Sequence, residues 1–217
     1  MTTAAVSATP LSAFSGLPPH LVIDDAFGAD LAARLLAFAV EREGDFASSM
    51  VGHSESKSAG VHQHIRRSRT IRDFGALRDD LEKAFLAMLP RALSHLGIAP
   101  FVPESLSLEL AAHGDGDFYR RHIDTFVGAT APRTRRVVTG VYYFHAVPRI
   151  FTGGALRFHS ILPVEQGGNC KDIEPANDRL LLFPAWVPHE VCPVQCPGGS
   201  FAQSRFAINC WYQGGAD

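Results

Sequence analysis

The sequence is short of several features that would place it in a specialised class. Only three of its 20 basic residues are lysines, and 22 acidic residues give a formal net charge of −2. Because general nucleic-acid binders carry a basic excess, this balance argues against a nucleic-acid partner. No run of about 18 apolar residues is present, which argues against a membrane-spanning helix.

Cysteine is also scarce, with four in 217 residues: Cys170, Cys192, Cys196 and Cys210. They form no C-x-x-C pair, and their density is too low for a disulfide scaffold. The first residues lack the charged start and long apolar core of a signal peptide. We therefore expect reduced thiols and a cytoplasmic protein; the sequence predicts no oligomeric state.

The hydrophobic periodicity changes along the chain. A helix is predicted from a cap at Asp30 to about Glu43, and a second from about Leu77, which Pro90 breaks or kinks. After Pro103 the pattern changes to short strands, at residues 105–110, 136–144, 180–183 and 205–212. Helices first and strands later predict an α+β fold with a β-sandwich or jelly-roll core.

The motif with the most chemical content is His122-Ile123-Asp124. Residues two apart in a strand face the same side, so His122 and Asp124 can present an imidazole and a carboxylate together. His189, just after the strand at 180–183, would complete a two-His-one-carboxylate face. Such a face leaves the opposite metal positions open, which suits non-haem Fe(II) chemistry with oxygen.

Other histidines offer competing patterns. His53-Ser54-Glu55 has the same form as the motif, and His62-x-His64 looks like a ligand pair. Both lie in or near a polar loop over residues 48–60, and we interpret them as solvated. Three more are interpreted as strand-end or surface histidines: His113, His145 and His159.

The blocks around the motif extend over about residues 105–212. They are Tyr119–Asp124, Val141–Phe144, Phe151–Arg157, Asp172–Pro175, Asp178–Phe183, Pro188–Val191 and Arg205–Tyr212. In order and spacing they resemble the Fe(II)- and 2-oxoglutarate-dependent dioxygenases, specifically the prolyl-hydroxylase-like branch. The resemblance implies a double-stranded β-helix (jelly-roll) core over about 101–217, helical support over about 19–100 and one domain over 19–217. Residues 1–18 are expected to form a flexible tail.

The resemblance implies iron ligands at His122, Asp124 and His189, with no catalytic residue beyond them. It implies that Arg205 pairs with the distal carboxylate of 2-oxoglutarate, and the planar guanidinium fork fits a buried carboxylate. Tyr143 and Asn209 are the further candidates for binding the co-substrate. Three more residues are pocket candidates: Trp211, Tyr119 and Leu156.

The sequence departs from this family in two places. His189 and Arg205 are sixteen positions apart, more than in the hypoxia-sensing prolyl hydroxylases, so residues 192–204 are interpreted as an inserted loop. Ala112 stands where those enzymes have a co-substrate-pocket tyrosine, which predicts a roomier or wetter pocket.

The implied reaction couples decarboxylation of 2-oxoglutarate, with Fe(II) and O2, to substrate hydroxylation; ascorbate is left open as a reductant. A prolyl residue of a protein or peptide is the first expectation. The alternatives are a free amino acid or other small molecule, a non-catalytic sensor that binds metal or 2-oxoglutarate, and a zinc hydrolase.

Residues 125–134 are a candidate lid. Five arginines around the motif are solvated strand-end charges or a rim for an acidic protein segment: Arg120, Arg121, Arg133, Arg135 and Arg136.

Overall fold

A computed structural model describes residues 15–49, 62–125 and 134–215. Most of the expected tail, the loop with His53 and Glu55, and the lid residues 126–133 lie outside these ranges. The described residues form helices α1 (Ala29–Glu41) and α2 (Leu77–Leu96). Their strands are β1 (Leu21–Ile23), β2 (Ala47–Ser48), β3 (Arg66–Arg67), β4 (Arg69–Ile71), β5 (Ser105–His113), β6 (Phe118–His122), β7 (Thr134–Phe144), β8 (Thr152–Gly153), β9 (Leu156–His159), β10 (Cys170–Ile173), β11 (Arg179–Pro184), β12 (His189–Val191), β13 (Val194–Gln195) and β14 (Arg205–Gly215).

Two antiparallel sheets pack face to face. The major sheet has the order β1-β11-β7-β14-β5-β4-β2, the minor sheet has the order β10-β9-β12-β6-β3, and β8 pairs with β13 in a small third sheet. Side chains from both large sheets share one buried cluster, with Tyr143 and Phe183 from the major sheet and Leu156 and Phe158 from the minor one. The predicted α+β fold with a jelly-roll core is confirmed.

Alternation along the central strands separates two cores. On β5, Leu108, Leu110 and Ala112 pack with the helices behind the major sheet. The intervening side chains, such as Glu109 and His113, face inward toward the minor sheet. The four predicted strands are confirmed, each within a longer observed strand.

The segment before residue 100 is less purely helical than predicted. It supplies β1 and β4 to the major sheet and β3 to the minor sheet, so both sheets draw on it. These strands are two or three residues long and form through pairing with long partners, for example β4 with β5. Strands this short show no alternation that a sequence pattern could report.

Both helices differ from expectation at one point. The N-cap of α1 is Gly28 rather than Asp30, which lies in the first turn. Helix α2 continues unbroken through Pro90 to Leu96. Because Pro90 is exposed while Leu89 and Leu93 are buried, packing of the inner face outweighs the hydrogen bond that proline removes.

The buried carboxylate of Asp178 ties the N-terminal segment to the jelly roll. Its oxygens accept hydrogen bonds from the Phe27 and Gly28 amides, both at 2.9 Å, and from the Tyr142 hydroxyl at 2.8 Å. It therefore caps the start of α1 in place of a local N-cap side chain. Asp178 has a φ of 57°, a conformation that Asp and Asn tolerate better than most residues.

We expect Asp178→Ala to lower the free energy of unfolding by about 3 kcal/mol, because the buried Tyr142 hydroxyl and the two part-buried amides of Phe27 and Gly28 lose their acceptor. Asp178→Asn should cost less, since it keeps one acceptor oxygen and tolerates the backbone angle. Chemical denaturation followed by circular dichroism measures both, with Asp30→Ala on the exposed side of α1 as the control. Equal stabilities for Asp178→Ala and the control would contradict this role.

Candidate active site

Pairing in the minor sheet brings two histidines together. His122 ends β6, His189 begins β12, and the two are direct partners in the register of these strands. The ring centroids are 4.2 Å apart. In each ring Nδ1 donates to a backbone carbonyl at 2.8 Å, Arg120 O for His122 and Val187 O for His189. These bonds fix the tautomer and leave each Nε2 lone pair free.

Asp124 completes the group from a bend two residues beyond the end of β6 rather than from a strand. Its amide donates to Ala185 O at 2.9 Å, which anchors the bend to the turn before β12. One carboxylate oxygen lies 3.7 Å from His122 Nε2, and the other lies 3.7 Å from His189 Nε2. Thr139 donates its hydroxyl to the second oxygen at 2.8 Å and thereby orients the carboxylate.

The electrostatics of these three residues suit a divalent cation. Burial, followed by the nearby His189, lowers the pKa of His122 to about 3, so its ring is neutral at neutral pH. Burial alone would raise the pKa of Asp124, but His189, His122 and Arg136 hold it below its ordinary value. The site therefore offers two imidazoles and one carboxylate, with ligand atoms all within 4.8 Å of one another.

A layer of paired side chains backs the metal ligands. The Tyr119 ring stacks on His122 at 3.6 Å between centroids, and the guanidinium of Arg66, on β3, lies 5.0 Å from the Tyr119 ring centroid. Arg66 is buried and donates to the buried Glu109 carboxylate at 2.7 Å, while Arg72 binds its other oxygen at 2.9 Å. Each buried charge thus has an opposite charge, as burial requires.

Arg136 and Trp211 form a second wall beside Asp124. The Arg136 guanidinium lies 3.9 Å from the Trp211 ring centroid, and its Nη1 donates to the Asp124 carbonyl at 3.4 Å. The interpretation of Arg136 as a solvated strand-end charge is therefore wrong. Arg120 and Arg121 instead donate to His64 O and Ser160 O on the outer surface of β6.

Arg205 lies at the other end of the inner face and is only 1% exposed. Its Nε donates to Gly154 O at 2.8 Å, and its guanidinium lies 4.9 Å from the Tyr143 ring centroid. A Cβ on Gly154 would lie 2.8 Å from Arg205 Cδ and 2.9 Å from Val194 Cγ2, so only glycine fits between them.

The inserted loop covers this end of the site. Its Val194 is fully buried, and β13 pairs with β8 directly beside Gly154. Val194 also exchanges two backbone hydrogen bonds with the turn after β5, through Gly116 N at 2.7 Å and Asp117 O at 2.9 Å. The insertion therefore closes the barrel over Arg205.

Four buried side-chain atoms have no hydrogen-bond partner among the described residues: Arg205 Nη2, Tyr143 OH, His113 Nε2 and Trp211 Nε1. All four side chains point to the inner face of the major sheet. Trp211 is close enough to Asp124 to lower its pKa, although without ordinary hydrogen-bond geometry. Buried donors without acceptors are costly, so this face is suited to an anionic ligand such as a dicarboxylate beside the metal.

The remaining predicted residues differ in their placement. Alternation puts Asn209 on the inner face between Arg205 and Trp211, as predicted, whereas Leu156 fills the core between the sheets. Ala112 pairs with Phe206 in the core behind the sheet and does not border the pocket, so the expectation of a roomier pocket there is wrong. His62 and His64 are exposed and lie outside the site.

Sequence reasoning missed three buried residues of the site. His113 ends β5 as predicted, but its side chain is 3% exposed and contacts Arg205, so it is not a surface histidine. Arg66 and Glu109 were assigned no role. The alternation of β5 puts Glu109 and His113 on the same face, and this pattern could have identified both as inward-facing residues. No sequence pattern could have identified Arg66, because β3 is only two residues long.

A jelly roll whose inner face carries two histidines and one carboxylate is typical of non-haem Fe(II) oxygenases. Residues 108–213 match the family model of the 2OG-Fe(II) oxygenase superfamily. Residues 108–213 are therefore similar to a superfamily whose members use Fe(II), 2-oxoglutarate and O2. Among the described residues, no helix is long and apolar enough to cross a membrane.

Individual proteins are similar to larger parts of the chain. An uncharacterized PKHD-type hydroxylase of Synechocystis sp. is 37% identical over 127 residues, which span 57% of this chain and 41% of that relative. A prolyl-4-hydroxylase of Pseudomonas putida has a TM-score of 0.65 at 23% identity, covering 94% of this chain and 95% of its own. A prolyl hydroxylase of Trichoplax adhaerens, in complex with a hypoxia-inducible-factor peptide fragment, has a TM-score of 0.63 at 24% identity, covering 93% and 84%.

Gly154→Ala should weaken binding of 2-oxoglutarate by about tenfold or more, because the added Cβ displaces Arg205, and small misplacements of a binding group are costly. Gly198→Ala is the matched control, since Gly198 has the same φ of 70° but open space around its Cα. Calorimetric titration of the Mn(II)-loaded protein measures both affinities. If both variants lost the same affinity for 2-oxoglutarate, the cause would be backbone strain and not displacement of Arg205.

Proposed function

We propose that this protein is an Fe(II)- and 2-oxoglutarate-dependent hydroxylase that acts on a prolyl residue of a protein or peptide. The observation that carries the chemistry is that the free Nε2 atoms of His122 and His189 face the Asp124 carboxylate, while the buried Arg205 lies on the inner face of the opposite sheet. Fe(II) with 2-oxoglutarate and O2 supplies the oxidising power; the protein supplies position, charge and a dry cavity.

Each group has a defined task in this proposal. His122, Asp124 and His189 hold the metal on one face and leave its other face free. Arg205 and Tyr143 hold the distal carboxylate of 2-oxoglutarate, and burial raises the pKa of the Tyr143 phenol so that it stays protonated and donates. Tyr119 and Thr139 keep the ligands in place through stacking and a hydrogen bond.

A peptide substrate is supported by the surface next to the metal ligands. Ile123 is 36% exposed, and Trp186, in the turn whose Ala185 carbonyl anchors Asp124, is 45% exposed. Exposed apolar side chains around a deep polar site suit an extended chain that inserts one residue. Two structural neighbours are prolyl hydroxylases, one of them in complex with a peptide fragment, and this supports the same substrate class.

To test this function, the Fe(II)-loaded protein would be incubated with 2-oxoglutarate and a library of proline-containing peptides. We expect succinate formation and a +16 Da change localised to proline by mass spectrometry. Asp124→Ala should abolish both through loss of the metal, while Asp172→Ala, on the exposed face of β10, should retain them.

Other results of this experiment would support one of the alternative functions. A +16 Da product from a pool of free amino acids, with no peptide product, would replace the peptide proposal with a small-molecule hydroxylase. Binding of 2-oxoglutarate without succinate from either pool would indicate a sensor. Hydrolytic activity that survives removal of O2 and 2-oxoglutarate would overturn the oxygenase assignment.

A further inference from the structure

His113 lies in the co-substrate end of the site. It is the direct partner of Arg205 in the pairing of β5 with β14, so both side chains face inward. It is 3% exposed, and its Nδ1 lies 3.4 Å from Arg205 Nη1.

The contact with Arg205 determines the tautomer. A guanidinium has only donors, so His113 Nδ1 must accept and therefore carries the lone pair. Burial, and then the positive charges of Arg205 and Arg66, hold the pKa of His113 well below its usual range. The ring is thus neutral at physiological pH and carries its single proton on Nε2.

That Nε2–H is a buried donor without an acceptor among the described residues. Arg205 Nη2 and the Tyr143 hydroxyl also lack a partner with ordinary hydrogen-bond geometry, although the two side chains are close enough for each to affect the pKa of the other. The three side chains stand on adjacent strands, β5, β14 and β7, with the His113 and Tyr143 rings both beside the guanidinium. A carboxylate has two oxygens with about four lone-pair positions, enough for all three donors.

The surroundings make this donor set effective. Val194, in the segment 192–204, is fully buried next to Gly154. The Nε of Arg205 donates to Gly154 O, which leaves Nη2 available to a ligand. Hydrogen bonds in such a water-poor environment are stronger than in solvent.

We propose that His113 Nε2–H is a third, uncharged donor to the distal carboxylate of 2-oxoglutarate, beside Arg205 and Tyr143. The proposal rests on the proposed function only in that 2-oxoglutarate binds at Arg205. His113 thereby acts as a specificity residue that ties recognition of the dicarboxylate to a neutral imidazole.

Two substitutions at position 113 distinguish the role of Nε2 from that of Nδ1. Gln at position 113 can place an amide N–H near the Nε2 position, whereas Asn places its amide near Nδ1 and leaves the Nε2 position empty. We expect His113→Gln to keep the 2-oxoglutarate dissociation constant within about threefold, and His113→Asn and His113→Phe to raise it about tenfold or more. Calorimetry on the Mn(II)-loaded protein measures all three, with His159→Asn, at the outer end of β9, as the control.

The proposal is overturned if His113→Asn and His113→Phe bind 2-oxoglutarate like the unmodified protein, or if His113→Asn binds more tightly than His113→Gln. The second result would mean that the ring only orients Arg205. Failure of the unmodified Mn(II)-loaded protein to bind 2-oxoglutarate would count against the proposed function itself.

A second measurement needs no variant. In the Zn(II)-loaded protein, ¹⁵N NMR should show His113 as a neutral ring protonated on Nε2 at pH 7. Addition of 2-oxoglutarate should shift the Nε2–H proton downfield through the new hydrogen bond. A ring protonated on Nδ1, or an Nε2–H signal unmoved by saturating 2-oxoglutarate, would contradict the proposal.

Discussion

The register of β14 between β5 and β7 is the constraint on which the inner face of the barrel depends. It places Arg205 opposite His113 and puts Tyr143 and Trp211 on the same side of the sheet. A slip of β14 by one residue would turn Arg205 and Trp211 into the helix-side core and bring Phe206 inward. The site is therefore specified by hydrophobic alternation, because apolar residues that pack behind the sheet leave the polar ones facing the metal.

The minor sheet adds a second, independent constraint. Its β6–β12 pairing joins His122 to His189, and the carbonyls of Arg120 and Val187 set the orientation of the two rings. The three candidate metal ligands thus belong to the minor sheet and the bend that follows β6, whereas Arg205 and the buried unpartnered donors belong to the major sheet. The shared core between the sheets fixes the separation of these two groups.

Charge in the interior is balanced in layers. Arg66 and Arg72 neutralise Glu109, while His189, His122 and Arg136 lower the pKa of the Asp124 carboxylate. Arg205 is the exception, since its described contacts are a carbonyl, a neutral ring nitrogen and a phenol ring. A buried cation with only neutral contacts is stabilised when an anion binds, and this gives the co-substrate end its preference.

The sequence by itself determined the strands with clear alternation, the His-x-Asp motif with its distant histidine, and the inward face of Arg205, Asn209 and Trp211. These features follow from the spacing of residues that are close together in the chain, and that spacing can be read directly from the sequence. Only the tertiary structure decided that Asp124 lies in a bend, that Arg136 packs on Trp211, and that His113 rather than Ala112 borders the co-substrate end. Those outcomes depend on pairing between strands far apart in the chain, and strands as short as β3 carry no pattern of their own.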